Sequence, residues 1–322
     1  MARIDAHAHL IPEAYRAELD RRGLDPGYPL PPAGPELLVG FMDEHQIDAS
    51  VVSLSPPGVW FGDIGLAKEL ARLVNEATAA VVREQPARFA GLATLPLPDA
   101  DAAVEEIAYA LDTLGLDGVA LLSNIGGTYL GDPGWDPVFE ELDRRGVYAF
   151  VHPVAPATLS PLPGIPVWVG ELPFDTTRAA ANLVYSGTLE RCPDVRLQLA
   201  HMGGATAFLA HRIAELAARE PERAAAVPKG ALEYLGRLYY DTGLSNNAPA
   251  VTATCAVAGI ERIVFGSDWP FLALPPGEHP GAGLDDLSAE DRQRIDASNL
   301  AALVPRLAMT SFRQRERGGV DE

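Results

Sequence analysis

Eight short, largely apolar runs punctuate the chain, and in most of them no polar residue alternates with the apolar ones. They lie at residues 3–9, 48–54, 89–95, 117–122, 147–152, 195–201, 238–241 and 262–267, and are rich in Val, Ile, Leu, Phe and Tyr. A strand wet on one face alternates apolar with polar; a run apolar throughout is what a parallel strand buried on both faces requires. Helical patterns fill the intervals. At 64–84, Leu66, Leu70, Leu73, Ala77 and Val81 fall at helical spacing, and similar patterns occupy 102–114, 135–145 and 205–218. Strands alternating with helices predict an α/β fold, either a doubly wound sheet or a closed barrel. Eight strands favour the barrel, and the absence of GxGxxG after the first run weakens a dinucleotide-binding sheet. The expectation is one (β/α)8 TIM barrel over residues 1–322, within the span of about 200 to over 400 residues such barrels occupy.

Two irregular stretches, 12–35 and 153–173, follow the first and fifth runs. Long loops in compact domains are commonly functional, and both follow a strand ending in histidine. They are expected to wall a pocket.

Charge and composition exclude several partners. The chain carries 25 basic and 44 acidic residues, a net charge of -19, which repels phosphate backbones and anionic lipid. Neither nucleic acid nor membrane is expected to bind, and no charge-free run is long enough to span a bilayer. The opening MARIDAHAHL lacks a basic segment followed by an apolar stretch, so no signal peptide is expected. Cys192 and Cys255 are the two cysteines and have no CxxC spacing, which fits a reducing cytoplasm.

The chemistry-bearing residues gather at strand ends. In Asp5-Ala6-His7-Ala8-His9, two histidines two residues apart share one face of a strand and can clasp one ion. Three further apolar runs end alike: Val151-His152-Pro153, Leu199-Ala200-His201-Met202-Gly203-Gly204, and Phe265-Gly266-Ser267-Asp268-Trp269-Pro270. A buried Asp ending such a run needs a partner, because unpaired buried charge is costly. The C-terminal ends of different strands are where a barrel assembles its site. His7, His9, His152 and Asp268 are therefore expected to hold one divalent ion. His45, in a polar helix end, His211, on a helix, and His279, in a proline-rich loop, read as surface residues.

In this order of motifs the chain resembles the amidohydrolase superfamily, and within it the branch of metal-dependent decarboxylases around 2-amino-3-carboxymuconate-6-semialdehyde decarboxylase. The stretches Leu92-Ala93-Thr94-Leu95-Pro96-Leu97-Pro98, Tyr129-Leu130-Gly131-Asp132-Pro133 and Phe174-Asp175-Thr176-Thr177-Arg178 look most like 6-methylsalicylate-type decarboxylases. The resemblance implies that His7, His9, His152 and Asp268 bind the metal and that His201 is a catalytic neighbour. It also implies that Arg212, eleven residues beyond His201, reaches the substrate carboxylate of an adjacent subunit in a homodimer or higher homo-oligomer. Resorcylate-type relatives have Glu at the first ligand position; His7 brings the set nearer the Zn²⁺-using carboxymuconate enzyme than the Mn²⁺ members. Zn²⁺ is expected, with Mn²⁺ the other candidate. The arginine that the carboxymuconate enzyme carries before the Met-Asp of its second helix has no counterpart at 35–43, which points away from a diacid. Binuclear members bridge two metals with a strand-four lysine, but the lysines here are Lys68 and Lys229, neither in the fourth run, so one ion is expected.

The reaction implied by the resemblance is non-oxidative decarboxylation of a small aromatic acid, with Asp268 or His201 giving the proton. Trp269 and Phe174, with Trp60, Phe61, Trp168 and Phe271, could stack on an aromatic substrate. The same ligand set could instead activate water in a hydrolase of amides, esters or lactones. A barrel that binds a metal structurally, without catalysis, is the third reading.

Overall fold

The computed structural model describes residues 2–156, 159–160, 162–272, 274 and 278–307. Residue 1, residues 308–322 of the expected single domain, and parts of the 153–173 loop and of the proline-rich loop before His279 lie outside the described residues. Eight strands run in parallel: β1 (Ile4–His9), β2 (Ala49–Ser53), β3 (Phe89–Thr94), β4 (Gly118–Leu122), β5 (Tyr148–His152), β6 (Arg196–Leu199), β7 (Tyr239–Asp241) and β8 (Ile263–Val264). Each pairs with the next in chain order. Every residue of β1, β2, β3 and β5 is buried, the polar Asp5, His7 and His9 of β1 included. The ring closes because the Ala6 N–H donates to Phe265 O, the Asp268 N–H to His7 O and the His9 N–H to Trp269 O, each at 2.8 Å.

The helices longer than five residues are α1 (Glu13–Arg22), α2 (Pro35–Glu44), α3 (Ile64–Glu84), α4 (Ala100–Ala108), α5 (Asp136–Arg145), α6 (Val167–Tyr185), α7 (Thr206–Arg219), α8 (Ala231–Arg237) and α9 (Ala248–Ala258). The larger core joins helices to strands, for example Leu70, Phe139 and Leu183 with Val52, Ala93 and Leu197. A smaller one joins Ile4, Val51, Leu92 and Phe150 within the strands to Leu300 and Leu303 of the last described helical turns. This is a TIM barrel.

Several expectations are refined. The loop at 12–35 contains α1, whose buried residues are Tyr15 and Leu19, with charged groups over most of the rest. Two apolar residues make too thin a stripe to read as helical periodicity. The loop at 153–173 gives way to α6 at Val167, with Pro173 inside that helix. The helix read at 102–114 starts at Ala100 and widens into a π-turn at Tyr109–Thr113. The eighth strand is two residues long, because the Phe265 N–H leaves the sheet for Ile295 O at 2.9 Å. β6 stops at Leu199, and His201 lies in the turn beyond it.

Candidate metal centre

His7 and His9 arrive on β1, His152 ends β5, and Asp268 follows β8. Their ligand atoms all lie within 4.8 Å of one another, and all four residues are buried. His7 Nε2 and His9 Nε2 lie 3.2 Å apart, and Asp268 Oδ1 is 3.0 Å from the first and 3.1 Å from the second. The outer nitrogens are occupied. His7 Nδ1 donates to Asp241 Oδ1 at 3.2 Å, His152 Nδ1 donates to Pro153 O at 2.8 Å, and His9 Nδ1 is 3.4 Å from Ser53 Oγ. Fixing one ring nitrogen in this way selects the tautomer that leaves the other free for a metal.

The donor set fits a divalent cation. Burial alone would push the His7 imidazole down, but Asp241 and Asp268 outweigh it and raise it to about 10. Burial, with His9, His7 and His201 close by, pushes His152 well below its usual value, so it is neutral as a ligand must be. Burial also opposes the charge on Asp268, yet His7, His201 and His9 hold its carboxyl well below the ordinary range. Three imidazoles and a carboxylate suit Zn²⁺ and its first-row neighbours. Among the described residues this is the one such group of three or more ligands. Lys68 pairs with Asp99 at 3.0 Å and Lys229 with Glu190 at 2.9 Å, both at the surface.

His201 stands against the other oxygen of Asp268, Nε2 to Oδ2 at 3.2 Å, and its ring is 5.1 Å from that of His7 and 5.4 Å from that of His152. Its Nδ1 is buried and has no partner among the described residues. Both His201 and Asp268 adopt left-handed backbone, with φ 56 and 61, a conformation uncommon for non-glycine residues and often found at functional sites. Tight packing holds the His201 turn: a Cβ on Gly204, where φ is 63, would meet Pro173 O at 1.9 Å.

The other expected residues are placed as follows. Trp269 is buried with its ring 6.3 Å from Phe41 of α2, whereas Phe271 lies 5.6 Å from His9. Phe174 and Trp168, on α6, are 53% and 61% exposed. Trp60 lines a small cavity, about 30 Å³, beside His152 with Leu54, Leu95, Leu122 and Ile125. Arg212 lies on the exposed face of α7 with no hydrogen bond or ion pair among the described residues, and His211 is exposed next to it. Sequence reading missed Asp241 and Ser53. Both end a buried strand in a polar residue, which was the available signal.

A TIM barrel with this ligand set defines a class, and comparison with known proteins agrees. The amidohydrolase family model matches residues 4–306, and the chain belongs to that family. Decarboxylase yanB from Aspergillus niger is 36% identical over 85% of this chain and 78% of its own length. The 6-methylsalicylic acid decarboxylase of Penicillium expansum is 32% identical over 95% of this chain and 97% of its own. A solved 5-carboxyvanillate decarboxylase from Novosphingobium aromaticivorans, complexed with manganese and 4-hydroxy-3-methoxy-5-nitrobenzoic acid, superposes with a TM-score of 0.80. It covers 94% of this chain and 96% of that one at 20% identity, a likeness of fold alone.

Proposed function

We propose that this chain is a metal-dependent, non-oxidative decarboxylase of a small ortho-hydroxybenzoate-type acid such as 6-methylsalicylate, using one divalent ion, zinc ahead of manganese. The observation that carries the reading is the convergence of His7, His9, His152 and Asp268, with His201 on the outward oxygen of Asp268, in a chain alike end to end to a 6-methylsalicylic acid decarboxylase. When bound, the ion supplies Lewis-acid polarisation of the substrate's carboxylate and hydroxyl oxygens.

The protein must then deliver one proton. Asp268 Oδ1 faces His7 and His9, which commits it to the metal side, and Oδ2 faces His201. That division favours His201 as the acid, its Nε2 proton held against Asp268 Oδ2. The proton passes to the ring carbon that bears the carboxylate. The bond to the carboxylate breaks, its electron pair restores the aromatic ring, and CO2 leaves. The apolar lining beside His152 suits an alkyl or unsubstituted ring edge better than a second carboxylate.

The exposed face of α7 supports a homodimer completed in trans. Phe208 is 85% exposed, and Arg212 follows one turn later on the same side. A bidentate guanidinium there suits the substrate carboxylate of a neighbouring copy. No helix among the described residues is long and apolar enough to cross a membrane, and both cysteines are free, which supports a cytoplasmic location.

The test is CO2 release from a panel of ortho-hydroxybenzoates by zinc-loaded, manganese-loaded and chelator-stripped protein. Release by a loaded form, absent after stripping, is expected. Hydrolysis of lactones or esters with no CO2 from any hydroxybenzoate would overturn the reading in favour of a hydrolase.

A further inference from the structure

We infer that Asp241 is a positioning residue that fixes the metal ligand His7 and the turn carrying His201 through a single carboxylate oxygen. Asp241 ends β7 and is fully buried, as are His7 and Gln198. Its Oδ1 accepts from His7 Nδ1 at 3.2 Å, from the His201 N–H at 3.1 Å and from the Gly243 N–H at 2.9 Å. Its Oδ2 accepts from Gln198 Nε2 at 2.8 Å, and Gln198 Oε1 accepts from Tyr148 Oη at 2.6 Å. A buried chain thus runs from Tyr148 through Gln198 and Asp241 and divides between His7 and the left-handed backbone of His201.

Packing seals the contact. A Cβ on Gly243 would stand 2.8 Å from His7 Nδ1 and 3.0 Å from Asp241 Oδ1, and a Cβ on Gly266 would stand 2.8 Å from His7 Cβ. Glycine at both positions leaves room for the imidazole and the carboxylate to meet and for nothing more. A purely structural account of Asp241 is insufficient. An amide oxygen at the same place would satisfy the N–H groups of Gly243 and His201 equally well. What an amide lacks is the negative charge that orients the His7 ring and makes its Nε2 a stronger donor. Burying a charge where a neutral group would serve the turn is costly, and His7 is the largest of the partners that offset it, ahead of His201.

This inference rests on the metal-site reading, and the experiment separates the two. Chelator-stripped wild type, Asp241→Asn and Thr254→Val are titrated with Zn²⁺ against a competing chelator, and with Co²⁺ while its visible absorption bands are recorded. Thr254 is buried on α9, and its hydroxyl has no hydrogen-bond partner among the described residues. Asp241→Asn is expected to bind Zn²⁺ about 10–100-fold more weakly and to shift the Co²⁺ bands, while Thr254→Val keeps wild-type affinity and bands. Wild-type affinity in Asp241→Asn with unshifted bands overturns the inference, as does an equal loss in Thr254→Val. Should Asp241→Asn fail to fold, Gln198→Met decides: a several-fold weaker Zn²⁺ affinity supports the role and an unchanged affinity overturns it. Wild type that takes up neither ion overturns the metal reading and this inference together.

Discussion

At the scale of single residues, the two histidines of the segment after β6 separate sharply. His201 is buried against Asp268, and His211 is exposed. His201→Asn is expected to lower CO2 release by about 10²–10⁴-fold, the range for a removed acid–base group, with metal content unchanged. His211→Asn should stay close to wild type. Equal losses in the two variants would refute the assignment. A second prediction concerns protons. With His7 raised to about 10, the metal-free protein holds a proton there at pH 8, and that proton must leave before Nε2 can ligate. Zn²⁺ binding at pH 8 should release about one proton, so affinity rises with pH. Calorimetry in two buffers of different ionisation enthalpy measures the release; identical apparent enthalpies would argue that His7 is neutral. The four candidate ligands were legible because His9, His152 and Asp268 lie at the ends of strand runs and His7 shares a face with His9. Asp241 was not, because His7 lies 234 positions away and only the closed ring brings them together.

At the scale of elements, α6 ties β4 to β5. Asp175 on α6 is buried and accepts from Ser123 Oγ, from Tyr129 Oη and, at 2.9 Å, from Asn124 Nδ2. Ser123 Oγ and Asn124 Nδ2 in turn hold the N–H and carbonyl of Val154, two residues beyond His152, at 3.0 and 3.1 Å. Asp175→Ala leaves several buried donors unpaired and should cost about 3 kcal/mol, seen as a lower urea midpoint at constant slope. A loss under about 1 kcal/mol would mean the donors find other partners. Periodicity showed the elements whose stripes are wide, such as α3, with nine buried positions over Ile64–Glu84. It failed where a tertiary contact sets the boundary: Ile295 ends β8 early, and α1 needs only Tyr15 and Leu19 to dock.

At the scale of the whole molecule, a net charge of -19 makes self-association depend on local apolar surface. Phe208 and Trp168 are large exposed apolar groups on α7 and α6, which pack together. Arg212→Ala is expected to raise KM with the metal retained. Mixing it with His201→Asn should restore one working site per mixed dimer, because each copy supplies what the other lacks. A fully active monomer at assay concentration would rule this out. The TIM barrel was legible at this scale because strand count and strand-end chemistry agree; the amidohydrolase family was read through the resemblance, on which the expectation of an oligomer also rests.

The ring's closure has a further consequence. β1 meets the β8 segment through a handful of bonds, among them Ser267 N–H to Asp5 Oδ1 at 2.9 Å and Asp268 N–H to His7 O at 2.8 Å. The ligands straddle that join, with His7 and His9 on one side and Asp268 on the other. An ion held by these residues would clasp the first strand of the ring to the last, because spreading the seam would mean losing a ligand. At 100 times its dissociation constant, an ion adds about 2.7 kcal/mol to the closed form. The amides of Ala6, His9 and Asp268 should therefore exchange with solvent deuterium far faster in stripped than in loaded protein, while those of β3 and β4, across the barrel, change little. Uniform acceleration around the ring would show that the barrel loosens as one body and that the seam has no special weakness.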